Sequence, residues 1–210
     1  MEENQIHQEE TRKEHILEMA RKIFMRYGLK SVTMDDISKE LKISKKTLYR
    51  FVTDKNDLVA QVMNAYVQSD QCRVKEMIDR SSNAIEEIMA ISEFAGSTVG
   101  QLHPSIHYDM EKYYPEAWEI FITYKRKFIF GCMTDNMIRG MKEGLYRDDL
   151  NVPVISLIYV SRIDMVFDGQ LFPPGEYQFK DVFTEMINYH LHGIVSEKGL
   201  KILNTKYKLK

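Results

Sequence analysis

The stretch Thr33–Lys55, TMDDISKELKISKKTLYRFVTDK, decides the fold. It predicts two short helices joined by a tight turn, then a sharp entry into a third. Thr33 is placed to cap the first helix, with Asp36 at the reciprocal position three residues on and an acidic first turn that suits the helix dipole. Ile37 and Leu41 face inward, Lys42, Ile43 and Ser44 form the turn, and Ser44 caps the second helix. Leu48 and Phe51, three apart, pack back on Ile37, Leu41 and Ile43. The opposite face carries Lys45, Lys46, Tyr49 and Arg50, with Thr47 beside them. An apolar-anchored short helix with a cationic, hydroxyl-bearing N-terminal half is the shape and chemistry that a DNA major groove admits, so the pattern is that of a helix-turn-helix.

Charge supports this reading once it is divided by position. The 210-residue chain has a net charge of −2. Residues 12–55 hold 12 Lys and Arg against six Asp and Glu, a balance of +6, and the remainder is −8. A basic head on an acidic body is the expected electrostatic footprint of a nucleic-acid reader. The length fits one large or two small domains. Two distant cysteines, Cys72 and Cys132, match no metal spacing and fit a reduced compartment. The polar N-terminal stretch lacks a signal-peptide core, and no apolar run is long enough to span a membrane, so a cytoplasmic location with no membrane partner is expected.

Helical periodicity runs through almost the whole chain, and an all-α protein is expected. Apolar residues at steps of three and four predict helices over about 11–27, 55–79, 84–101, 104–112, 115–143, 154–167 and 178–196. Gly28 is read as a stop signal, and Ser81-Ser82-Asn83 as a break. Residues 144–153 and 168–177 read as loops. The expected organisation is a three-helix DNA-binding domain over 1–54, a bridging helix over about 55–79, and a C-terminal helical ligand-binding and dimerisation domain over 80–210.

Residues 14–60 resemble the TetR (tetracycline-repressor-like) family of bacterial transcriptional regulators. GLKSVTMDDISKEL and KISKKTLYRFVTDKNDL carry the resemblance, after an amphipathic helix of the right length. HYDMEKYYPEAWEIF and GMKEGLYRDDLN match the family's C-terminal domain in pattern only. Lys42 and Lys46 stand where the family commonly has Gly. At Lys42 a non-Gly residue in the turn implies a left-handed backbone, and Lys46 adds charge to the recognition face.

The resemblance implies a ligand-responsive regulator, in the leading reading a repressor that binds a palindromic operator in double-stranded DNA as a homodimer. Thr33, Ser44, Lys45, Lys46, Thr47, Tyr49, Arg50 and Lys55 are the expected DNA-binding residues. Thr33 and Lys55 lie at helix N-termini facing phosphates, Tyr49 offers its hydroxyl to a phosphate, and Lys45, Lys46 and Thr47 face base edges. A small hydrophobic or aromatic effector is expected among Phe94, Ile106, Met110, Tyr114, Trp118, Phe121, Tyr124, Phe128, Met137, Tyr159 and Ile163, groups that equally suit a plain core. Effector binding is expected to shift residues 104–112 and push the 55–79 helix.

Ile155, Ile158, Arg162, Phe179, Phe183, Met186, Ile187, Leu191 and Ile194 are the expected dimer contacts, in a four-helix arrangement of two copies; the alternative is that these helices complete the core of one copy. Arg162 and Asp164 interrupt an otherwise apolar helix and call for partners, at an interface or surface in preference to a ligand. His103 and His107, four apart, lack the further ligands that a metal site needs. No metal, cofactor or catalytic motif is expected, and the chain does not read as an enzyme. The competing functional readings are an activator or co-repressor-dependent regulator and, from another class, a helical small-molecule-binding or interaction module without DNA binding.

Overall fold

The computed structural model describes residues 2–207 of the chain. Among them every regular element is helical: α1 (Glu2–Tyr27), α2 (Met34–Glu40), α3 (Lys45–Leu48), α4 (Lys55–Arg80), α5 (Ala84–Val99), α6 (Ile106–Tyr113), α7 (Pro115–Tyr124), α8 (Phe130–Lys142), α9 (Val152–Val166), α10 (Phe179–Ile194) and α11 (Glu197–Ile202). The expected all-α fold is observed. Packing divides the chain into two compact units, one reaching Ser69 and taking in Gln101–Ile122, the other formed by Asp70–Gly100 and the chain from Thr123 onward. Two of the three divisions fall inside continuous helices, α4 and α7, and the third follows α5 at Gly100.

The first unit is built around α1. Ile16, Ala20, Ile23 and Phe24 form its inner stripe and bury against Ile37, Leu48, Val52, Leu58, Val59 and Val62. Met110, Tyr114 and Ala117 belong to the same core, so α6 and the start of α7 pack with the helix-turn-helix. Helix α1 begins nine residues earlier than periodicity suggests. Its first turns, EENQIHQEE, are mostly Glu, Gln and Asn, good to fair helix formers, and the lone Ile6 makes no apolar stripe to be read. At the other end Gly28 holds φ +81 and returns its N–H to the Phe24 carbonyl at 2.8 Å, the left-handed closure for which glycine is suited.

In the second unit α5, α8, α9 and α10 enclose Ile85, Ile88, Met137, Tyr159, Val166, Ile187 and Leu191. Polar groups lock one end of this bundle. Arg139 donates to Glu143 and Glu87 at 2.8 Å each and to the Ser81 carbonyl at 2.9 Å. Glu143 in turn accepts the Ala84 N–H at 2.8 Å, and Asn136 donates to the Ala84 carbonyl at 2.9 Å. The first turn of α5, whose N–H groups have no helical partner, is thereby tied to α8. Gly140 is required beside it, because a Cβ there would lie 2.2 Å from the Tyr146 ring.

Residues 115–143, expected as one helix, are interrupted by a π turn at Lys125–Ile129. The buried pair Tyr124–Lys125 opens this turn: the Tyr124 hydroxyl bonds to Asp70 and the Lys125 ammonium to Asp164. Wide turns of this kind commonly accompany side chains that must be re-aimed inside a helix. Asp164 thus has a partner within the chain, and the Arg162 guanidinium lies 4.8 Å from the Tyr189 ring centre.

Candidate nucleic-acid interface

Sequence-local hydrogen bonds set the two short helices. The Asp36 N–H donates to Thr33 Oγ1 at 3.2 Å while the Thr33 N–H donates to Asp36 Oδ2 at 2.8 Å, the reciprocal cap expected. The Thr33 bonds hold the Asp36 carboxyl below its ordinary pKa. Ser44 Oγ accepts the Thr47 N–H at 3.0 Å and lies 2.8 Å from the Thr47 hydroxyl. Lys42 is the one non-glycine residue with positive φ among the described residues, at +53, and it makes the turn between the helices. Helix α3 itself is a single regular turn; it runs on through i→i+3 bonds from Arg50 to Thr47 at 3.3 Å and from Phe51 to Leu48 at 3.0 Å.

Leu48 is fully buried, which fixes the rotation of this segment. Lys45, Lys46, Tyr49 and Arg50 are consequently exposed, with Thr47 half-buried beneath them. Thr33 is also exposed and Lys55 half-buried. The eight sequence-predicted residues therefore lie along one compact stretch of the head. Ser44 and Thr47 spend their hydroxyls on the cap, and the charges and the Tyr49 phenol face outward.

Acidic partners, unmarked by any motif, hold two of the cations. Lys45 pairs with Asp35, and Arg50 lies 2.5 Å from Glu9 of the early turns of α1. Both pairs are well exposed, so phosphate oxygens can replace the carboxylates at small cost. Lys55 donates to the Lys30 carbonyl at 3.4 Å and sits 5.6 Å from the Tyr114 ring centre. Burial lowers its pKa, while Asp109 and Asp36 pull the other way. The buried Asp109 accepts the Lys30 N–H at 3.2 Å and the Ser105 hydroxyl at 2.8 Å. Lys30 and Asp109 are 79 positions apart, a separation at which periodicity carries no signal.

Residues 16–62 match the family model described as bacterial regulatory proteins, tetR family. The head is of the TetR type. The chain is a DNA-binding transcriptional regulator of the helix-turn-helix type, and the curated TetR-like proteins that it resembles are regulators, not enzymes. It is 22% identical over 152 residues to the HTH-type transcriptional repressor KstR2 of Mycobacterium tuberculosis, covering 69% of this chain and 74% of that protein. To the uncharacterized HTH-type transcriptional regulator YhgD of Bacillus subtilis it is 25% identical over 166 residues, 76% of this chain and 84% of the relative. A putative transcriptional regulator from Saccharomonospora viridis, solved in complex with choline, shares the fold at a TM-score of 0.71 with 17% identity, over 90% of this chain and all of that one.

Outside the TetR head, the effector candidates fall into both units. Met110 and Tyr114 are buried in the first, with Ile106, Trp118 and Phe121 packed on its core. In the second, Tyr124, Met137 and Tyr159 are buried, Ile163 packs on the core, Phe94 faces the Arg73 guanidinium at 5.7 Å and Phe128 stacks on Tyr124 at 5.5 Å. Among the dimer candidates, Phe183, Met186, Ile187, Leu191 and Ile194 are buried within one copy's core, and Ile155 and Phe179 pack against it. Ile158 is exposed. His103 bonds Ser105 at 3.0 Å and His107 stands edge-on to Trp118 at 5.0 Å; no grouping of potential metal ligands occurs among the described residues. No described helix is long and apolar enough to cross a membrane.

Proposed function

We propose that the protein is a repressor that binds a palindromic operator as a homodimer and is released by a small hydrophobic or aromatic effector. The observation that carries the reading is the exposed Lys45-Lys46-Tyr49-Arg50 face on a recognition turn locked by Leu48 and the Ser44 cap. Two such heads would occupy successive major grooves, one helical turn or about 34 Å apart. Lysines would take guanine acceptors, Thr47 and Tyr49 a thymine methyl and a phosphate.

A stripe on α9 supports self-association. Val154, Leu157, Ile158 and Met165 recur at helical spacing and are all exposed, as is Tyr189 on the neighbouring α10. A second copy laid on this stripe would cover it and give the four-helix arrangement common in oligomers of helical proteins. The inner stripe of α10 is occupied within the protomer, so the contact falls to α9 and the outer edge of α10.

An effector site in the C-terminal bundle is supported by Ser92 Oγ and His190 Nε2, buried polar atoms without a hydrogen-bond partner. Tyr159 stands 4.9 Å from the His190 ring. A polar group on an otherwise apolar ligand would satisfy an atom of this kind. Effector-driven movement of residues 104–112 and of α4 would then alter the spacing of the heads, provided that the ligand favours the spacing that does not fit DNA.

Selection from a random duplex pool tests the reading, with a Lys45→Ala/Tyr49→Ala variant in parallel. The expected result is an inverted repeat recovered by the wild type alone. Unenriched pools from both proteins at moderate salt, where non-specific phosphate binding fades, would favour the interaction module without DNA binding.

A further inference from the structure

A row of ammonium groups continues from the recognition head onto α6. Lys55 donates to the Lys30 carbonyl. The Lys30 ammonium donates to the Tyr113 hydroxyl at 3.1 Å and lies 4.5 Å from that ring centre. The Lys112 ammonium lies 5.5 Å from the same ring centre and donates to the Tyr108 hydroxyl at 2.6 Å. Lys30, Lys112, Tyr108 and Tyr113 are all exposed. Their spacing in sequence conceals the row, since Lys30 and Tyr113 are 83 positions apart.

This row differs from the recognition face in its charge state. Lys45 and Arg50 are matched by carboxylates, but among the described residues the ammonium groups of Lys30 and Lys112 have only phenol partners. Asp109 lies beneath the row, and both groups that it accepts, the Lys30 N–H and the Ser105 hydroxyl, draw its carboxylate toward the backbone turn. It fixes where Lys30 starts and leaves the ammonium to solvent. The hydrogen bond from Lys30, with the Lys112 charge nearby, holds the Tyr113 phenol below its usual pKa. Glu111 and Glu116 are the exposed acids nearest in sequence and pair with neither lysine among the described residues.

A run of exposed ammonium groups matched by no carboxylate, with phenol hydroxyls between them, suits the repeating oxygens of a phosphate backbone, and such contacts give affinity without sequence preference. We propose that Lys30, Tyr113, Lys112 and Tyr108 form a second phosphate-contacting edge that grips duplex DNA flanking the half-site read by α3. The inference rests on the DNA-binding reading above. It makes α6 part of the DNA-binding surface as well as of the head's core.

The test is the salt dependence of binding to two duplexes carrying the enriched inverted repeat, one with about eight flanking base pairs on each side and one trimmed to the repeat. Each neutralised phosphate contributes about 0.9 to the slope of log K against log salt. For Lys30→Ala/Lys112→Ala on the long duplex the slope becomes shallower by about 2 per head, and affinity at moderate salt falls about tenfold or more. On the trimmed duplex the variant and wild type behave alike, and Lys112→Arg keeps the wild-type slope. A variant that matches the wild type on both duplexes overturns the second edge while leaving the recognition head intact. Equal losses on both duplexes overturn it too, since the lysines would then act inside the half-site. A wild type that cannot tell the enriched duplex from an unrelated one overturns the head reading first, and the edge with it. Thermal melting of each variant confirms that the fold is unchanged.

Discussion

Lys42 carries the clearest single-residue tension in the molecule. Its φ of +53 places a β-carbon-bearing residue in the left-handed region, which costs about 1–2 kcal/mol. Replacement by Gly removes that strain but adds freedom to the unfolded chain, worth about 0.5–1 kcal/mol in the other direction. Lys42→Gly is therefore expected to stabilise the protein by roughly 0.5 kcal/mol, seen as a higher urea midpoint with an unchanged m-value. A lower midpoint would show that the lysine side chain contributes more than its backbone costs. The second case is His190, whose imidazole burial holds down to about 4, with Arg162 adding repulsion. The folded protein refuses a proton that the unfolded chain accepts near 6.5. Stability from the neutral ring is full above about pH 6.5 and is lost as pH falls toward 4, amounting to about 2 kcal/mol by pH 5. His190→Leu should flatten this acid limb, as followed by unfolding midpoints at pH 7 and pH 5. An acid limb of unchanged steepness would assign the loss to other groups. The left-handed turn at Lys42 was legible only through the resemblance to the TetR family, because Lys42 stands where that family commonly has Gly. His190 was not, because burial against Tyr159 depends on which face of α10 turns inward.

At the scale of the element, legibility followed locality. Caps at Thr33 and Ser44, the stop at Gly28 and the break at residues 81–83 depend on contacts within a few positions, and the structure shows each of them. The early start of α1 and the π turn at Lys125 left no mark, the first because polar helix formers lack a stripe, the second because Asp70 and Asp164 lie 54 and 39 positions from their partners. Helix α9 shows the limit of periodicity most plainly. It is apolar on nearly every side, so the sequence could not say which side faces the core. The structure buries Ser156, Tyr159, Val160 and Val166 and leaves Val154, Leu157, Ile158 and Met165 outside. If the outer stripe meets its own copy, Leu157→Glu places two like charges in a desolvated contact and should convert the dimer to monomer. Light scattering coupled to size exclusion reads this directly. A Leu157→Glu protein that remains dimeric would move the interface elsewhere, and one that was monomeric before the change would remove it.

For the whole molecule, the question is what two heads give that one does not. The net charge is only −2, and the +6 balance is confined to residues 12–55, so attraction to DNA is local to the head while the acidic remainder opposes non-specific contact. A single head with a handful of phosphate and base contacts is expected to bind weakly at physiological salt. Joining two heads makes the second contact intramolecular, a gain on the order of 10²–10⁴ where the spacing fits. The Leu157→Glu variant therefore makes a second prediction, distinct from its oligomeric state. The wild type should prefer the full inverted repeat over an isolated half-site by about two orders of magnitude or more, whereas the variant should bind both duplexes with the same weak affinity. Titration of both proteins against both duplexes, under one salt condition, decides it. Equal preference for the full site in the two proteins would mean that pairing of heads arises on the DNA and not along α9. Equal weak binding of both duplexes by a dimeric wild type would mean that the resting spacing of the heads does not fit the operator, and that the effector is required for binding instead of release.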